Sequence, residues 1–347
     1  MCANYSRNPK WLQHDRNKQP EFRERVPVTI CVATLFRWNY GPSDKPDYRF
    51  AALVASDRMI TAGDVQYEPQ QLKVAFITRR AVILIAGDYS LHSEAILGTS
   101  KQIQGQLDIT PHNLALIYGR AIQAIKHRQS EDLYLAALGM NADTFLAQQR
   151  DLSADFVDRI TNQIQGYQGP DVEALVVGSD GENAHIYVVD TKGIISYLND
   201  VGFAAIGIGA WHAKSRLMQA GYINSVTFAP ALAAIFAAKK NAEVAPGVGT
   251  ATDIHLILKD HTERLSDPIA GKLEELYKTY DQDRRTLETS VVSQLQNFII
   301  PPTEAGQQNA QGSGTAGTNT QANEGANPPA AETPRKDEAR ESQGKDG

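Results

Sequence analysis

Cysteine is nearly absent from this chain. Cys2 and Cys31 are its two cysteines, too few for a disulfide framework and in keeping with a reducing compartment. Nor does any window approach the run of about 18 apolar residues that a membrane span needs. The first 27 residues are polar and lack the apolar stretch of a secretory signal. The expected setting is therefore cytoplasmic, without a membrane partner. No basic stripe with interleaved aromatics occurs, and the net charge is −6 with a pI near 5.8. That balance argues against a nucleic-acid partner. Metal-ligand spacings are also missing: the eight histidines form no HxxxH or HExxH pair, and two distant cysteines make no zinc site. GxSxG elbows and GxxxxGK[ST] loops do not occur. Neither a metal nor a cofactor is expected.

What is present is apolar and strand-rich. With 347 residues and 42% hydrophobic content the chain can bury a full core. Residues 1–28 read as a leader without periodicity, 29–300 as one domain ending in a long helix, and 301–347 as a tail. That tail contains no Val, Ile, Leu, Met or aromatic residue, so its composition predicts disorder. Within the domain, VTICVATLF reads as a strand and RWNYGPSDKPDY as a long hairpin loop. RFAALVAS, KVAFITR and AVILIAG follow as strands. The period then becomes helical over about 89–106 and 112–130, and residues 131–170 are mixed and mainly helical. A second β block (VEALVVGSD, HIYVVD, GIISYL, VGFAAIGIG) precedes helices near 211–222 and 228–243. DIHLIL is one more strand, and a charged helix spans roughly 264–297.

Short hairpins pair strands antiparallel, and runs such as AVILIA and ALVV are apolar on both faces. Two antiparallel sheets stacked on each other, with a helix pair outside each, meet that demand. The expected fold class is α+β, a four-layer αββα sandwich.

Residues 49–87 carry the chemistry. Three apolar strand-like runs present an acid (Asp57), a lysine set among apolar residues (Lys73) and a glycine ending a strand (Gly87). Each has a plain structural reading: Asp57 forms a turn, Lys73 snorkels from a strand edge, and Gly87 stops a strand. Together they form a charged pair beside a backbone that could bind an oxyanion.

In their order and spacing, these positions resemble the proteasome β-type branch of the N-terminal nucleophile hydrolases. Thr29 opens the first strand, Asp57 ends the second in VASDRMITAG, Lys73 follows on the next, and Gly87 ends the one after. The opening TICVA resembles the bacterial, Anbu-like branch. In the second half, GFAAIGIGAWHAKSRLMQAGY and HIYVVDTKGIISY resemble the family's glycine turn into a helix and its preceding hairpin. The resemblance covers about residues 28–260. It implies the N-terminal nucleophile hydrolase fold, leader removal by autoprocessing, a peptide or protein substrate and a ring-like homo-oligomer. Carried over by position, it also implies an apolar S1 lining from Ile60, Ala75, Ile85 and Tyr89.

The chemistry behind that pattern is general. A threonine hydroxyl needs a base within hydrogen-bond reach. As a free N-terminus, Thr29 supplies its own α-amine, whose ordinary pKa is about 8 and falls beside a cation. Lys73 would be that cation and Asp57 would orient it. The Gly87 N–H would face the oxyanion, and one such donor is worth about 3 kcal/mol. Two thiols compete for the role of nucleophile. Cys2 becomes N-terminal on loss of Met1, yet the ANYSRNPK that follows it is no strand. Cys31 is read as a small buried thiol.

Some positions depart from the family. Gly207-Ile208-Gly209 stands where Gly-Ser-Gly is usual. KKNAEVAPGVG offers Asn241 or Glu243 for an acid and Val248 near the position of a serine. Val28 precedes Thr29 in place of glycine. These departures sustain a second reading, a non-catalytic proteasome-like structural subunit that keeps its leader. An amidase of the same fold acting on a small molecule is a third.

Overall fold

The structure, a computed structural model, describes residues 29–62, 65–67, 73–106 and 108–299, the side chains of 60–62 and 65–67 excepted. Val28, Cys2, the leader and the tail beyond residue 299 lie outside that set. The chain divides into two compact units, Met1–Arg285 and Thr286–Gly347. Of the second unit, the described part is a helical stretch, residues 286–299.

The first unit opens with the hairpin β1 (Cys31–Asn39) and β2 (Tyr48–Ser56), then the small hairpin β3 (Ile60–Ala62) and β4 (Val65–Tyr67). β5 (Val74–Thr78) and β6 (Ala81–Gly87) lead into α1 (Tyr89–Gln102) and α2 (Pro111–Tyr134). A 3-10 turn, α3 (Ala142–Gln148) and α4 (Ala154–Gly166) fill the mixed region. β7 (Val172–Ser179), β8 (Ala184–Val189), β9 (Ile195–Tyr197) and β10 (Phe203–Ile206) follow. The remainder is α5 (Ala210–Gln219), α6 (Phe228–Ala242), β11 (Asp253–Ile257), β12 (Thr262–Arg264) and the part of α7 (Asp267–Ile299) up to Arg285.

Both five-stranded sheets are antiparallel, in the orders β10-β1-β2-β11-β12 and β5-β6-β7-β8-β9. The second β block is therefore divided: β7–β9 extend the β5–β6 hairpin, whereas β10 pairs with β1. Alternation along each strand builds the layers. Cys31, Ala33 and Leu35 meet Leu84, Ala86, Leu175 and Val177 in an apolar cluster between the sheets. Ile30, Val32 and Phe36 face the other way, onto α5 and α6. Ile83, Ile85, Val172 and Ala174 pack under α1 and α2. This packing is compatible with the expected sandwich.

Two local expectations need correction. The segment Arg37–Asn39, read as loop, continues β1, because it pairs with Tyr48–Phe50 across the hairpin. β1 starts at Cys31, two residues past Thr29, whose carbonyl instead accepts from Gly209 N–H at 3.3 Å. Helix starts follow capping chemistry: Asp88 accepts from Leu91 N–H at 2.8 Å, and Thr110 precedes Pro111 at the first turn of α2. No helix among the described residues is long and apolar enough to cross a membrane.

Candidate active site

One end of the inter-sheet space collects the charged residues. The register Cys31↔Ser56 sets Thr29 beside Asp57 at the same end of the first sheet. In the second sheet, Lys73 precedes β5 and lies opposite Ile85, whose N–H donates to the Lys73 carbonyl at 3.2 Å. Thr29, Asp57 and Lys73 are all buried. The Thr29 hydroxyl donates to Asp57 Oδ1 at 2.9 Å and accepts from the Lys73 ammonium. Lys73 Nζ also donates to Asp57 Oδ1 at 2.8 Å. The three side chains thus close a triangle of hydrogen bonds.

Asp57 is held from every side. Ile30 N–H reaches Oδ1 at 3.0 Å, while Met59 N–H and Gly249 N–H reach Oδ2 at 3.2 and 3.0 Å. A carboxylate so satisfied is fixed in orientation, and through it so are the hydroxyl and the ammonium. Next to it, Arg58 grips buried Asp253 through two bonds of 2.7 and 2.6 Å, which ties the end of β2 to β11.

Gly207 makes the close approach possible. Its φ is +86°, and a Cβ there would lie 2.5 Å from the Thr29 carbonyl and 2.7 Å from Thr29 Cγ2. Only a residue without a side chain fits. The Gly207 N–H donates to Glu173 Oε2 at 3.0 Å. Glu173 lies opposite Ala86 in the β6–β7 ladder, at the same end of the sheet as Gly87.

Gly87 ends β6 with φ +112°, exposed. Ladder bonds alternate in direction along an antiparallel strand. Asp88 N–H donates to Asp171 O at 3.0 Å and Ser179 N–H to Arg80 O at 2.9 Å, so the even-numbered residues of β6 bond toward β7. Odd-numbered Ile85 bonds toward Lys73. Gly87, also odd-numbered, therefore turns its N–H away from β7, to the side on which Lys73 lies.

The remaining expected positions are more dispersed. Ala75 is half-buried on β5, Tyr89 is exposed at the first turn of α1, and Ile85 is buried under that helix. Ile60 lies in β3, its side chain outside the described residues. Asn241 donates to His212 O at 2.9 Å. Val248 packs in the apolar core under α5 and α6, and Ile208 lies half-buried against it. The Cys31 thiol donates to Ile85 O at 3.5 Å, and burial, the largest influence, pushes its pKa up to about 12. It is held as a thiol, not a nucleophile.

Sequence reading missed Lys239. Fully buried in α6, its Nζ donates to Gly249 O at 2.8 Å, Thr250 O at 3.0 Å and Glu243 Oε1 at 2.6 Å. It thereby anchors the loop whose Gly249 N–H binds Asp57. Glu243 also pairs with Lys240 at 3.1 Å, so its carboxylate is committed to two lysines. Among the described residues, no group of three or more His, Cys, Asp or Glu side chains could hold a metal ion. An apolar cleft of about 440 Å³ lies among α5, α6 and α7 and includes none of Thr29, Asp57 or Lys73. Comparison of the chain with models of known protein families and with the sequences of characterised proteins gives no match.

Proposed function

We propose that this chain is a threonine-type peptidase or amide hydrolase with a proteasome-like N-terminal nucleophile fold. The observation that carries the proposal is the Thr29 hydroxyl, bonded at once to the Asp57 carboxylate and the Lys73 ammonium. Such a cation next to the oxygen stabilises the alkoxide character that attack requires. Once residues 1–28 are removed, the Thr29 α-amine accepts the hydroxyl proton. Oγ1 then bonds to the substrate carbonyl carbon, and the negative charge that forms on the carbonyl oxygen meets the Gly87 N–H. The C–N bond breaks, the amine leaves with the proton, and water hydrolyses the ester. No cofactor enters this scheme. The same reading brings a homo-oligomeric assembly and a cytoplasmic setting.

Specific observations favour the structural-subunit reading as the second choice. Ile208 and Val248 are apolar, and Glu243 is spent on lysines, so the usual partners of the freed amine are missing. Intact mass of the purified full-length chain separates the two. The enzyme should start at Thr29, should lose that processing in Thr29→Ala, and should be acylated by a β-lactone at Thr29. A chain that keeps residues 1–28 and never reacts with the probe belongs to the scaffold. Peptides compared with small amides then identify the substrate class.

A further inference from the structure

A buried hydrogen-bonded chain ends on the peptide unit that carries the proposed oxyanion donor. His92, on α1, is buried together with Tyr118 on α2. Its Nδ1 lies 2.6 Å from the Tyr118 hydroxyl and its Nε2 lies 2.9 Å from the Ala86 carbonyl oxygen. A carbonyl can only accept, so Nε2 carries the proton and Nδ1 accepts from the tyrosine. Burial keeps both groups neutral: it pushes the His92 pKa down to about 4 and the Tyr118 phenol up. The tautomer is thus fixed by its surroundings. The Ala86 carbonyl and the Gly87 N–H belong to one trans peptide and point in opposite directions. A donor on the carbonyl polarises the amide and strengthens its N–H on the far side.

We propose that His92 and Tyr118 are positioning residues for the hydrolysis, holding and polarising the Ala86–Gly87 peptide so that its N–H receives the oxyanion. The inference rests on the hydrolase reading above. The plain alternative is a staple between helix and sheet, contributing stability alone. Placement favours the positioning role. The histidine spends its proton on the one carbonyl conjugated with the Gly87 N–H, in a glycine whose φ of +112° other residues rarely adopt.

The test compares His92→Leu, His92→Gln and Tyr118→Phe in the full chain, each first checked for folding by circular dichroism. His92→Leu should lower kcat, and the rate of β-lactone acylation at Thr29, about tenfold with KM within about twofold. His92→Gln, whose amide can donate to the same carbonyl, should recover most of the loss. Tyr118→Phe should lower the rate about twofold to threefold, since Nε2–H is retained. The Gly87 amide signal of 15N-glycine-labelled chain should move in His92→Leu and return in His92→Gln. A folded His92→Leu with unchanged kcat or acylation rate and an unmoved Gly87 signal would overturn the proposal. If the wild-type chain neither turns over nor reacts with the lactone, the hydrolase reading fails instead. The Gly87 signal then decides whether His92 acts on that peptide.

Discussion

His92 and His255 are buried imidazoles, and both are pushed down to about 4, burial being the largest cause in each. Their circumstances differ. His92 has two partners, whereas neither ring nitrogen of His255 has a hydrogen-bond partner among the described residues. The ordinary value of both is 6.5. Between pH 6.5 and about 4 the unfolded chain therefore binds protons that the folded chain refuses. Stabilisation is complete above about 6.5 and is lost as the pH falls toward 4. Each histidine accounts for up to about 3 kcal/mol of that loss. Urea midpoints measured at pH 7 and pH 4.5 should differ accordingly, and His255→Leu should remove part of the difference. At pH 7, His255→Leu should match or exceed the wild type, because it deletes two unpartnered buried nitrogens. A midpoint independent of pH in the wild type would contradict this account.

At the level of elements, much was legible in the sequence because strand and helix periods are local. Runs such as AVILIAG and RFAALVAS fold as the strands that they read as, and Asp57 and Lys73 fall together because each sits at the end of such a run. What escaped were single polar residues whose partners lie far along the chain. Lys239 sits inside ALAAIFAAKKNAE with nothing in its neighbours to mark it, and the loop it holds is known only from the fold. Glu173 is the second residue of an apolar strand, and its partner Gly207 directly follows β10 of the other sheet. Arg37–Asn39 reads as loop because it runs into the Gly, Pro and Asp of GPSDKPD, although the pairing with β2 carries it as strand. Lys239 is the strut between α6 and the loop that binds Asp57. Lys239→Met would strand Glu243 beside Lys240 alone and free the Gly249 and Thr250 carbonyls. A loss of about 2–3 kcal/mol in urea unfolding is expected. Acylation of Thr29 should slow as well, since Gly249 N–H no longer holds Asp57 in place. Unchanged stability and unchanged reactivity would show that the strut is dispensable.

At the scale of the whole molecule, the described part of the second unit, residues 286–299, carries an apolar stripe. Its described helical stretch exposes Leu287, Val291, Leu295 and Phe298, the last 85% accessible. Steps of four, four and three residues set them on one helix face. A stripe of this kind on a charged helix marks an interaction surface more often than a free one. If the homo-oligomer of the proposed function forms, the occupant is the same stripe from a second copy, in the isologous manner that symmetric assemblies use. Sedimentation velocity at micromolar concentration should therefore find the full chain larger than a monomer. Val291→Lys with Leu295→Lys should shift it toward the monomer while leaving its circular dichroism unchanged, since these side chains are already exposed in the single chain. Two lysines facing their counterparts across such a contact would be buried unpaired and would repel. A wild-type chain that sediments as a monomer would overturn the proposed homo-oligomer, and a double variant that keeps the wild-type coefficient would show that α7 takes no part in it.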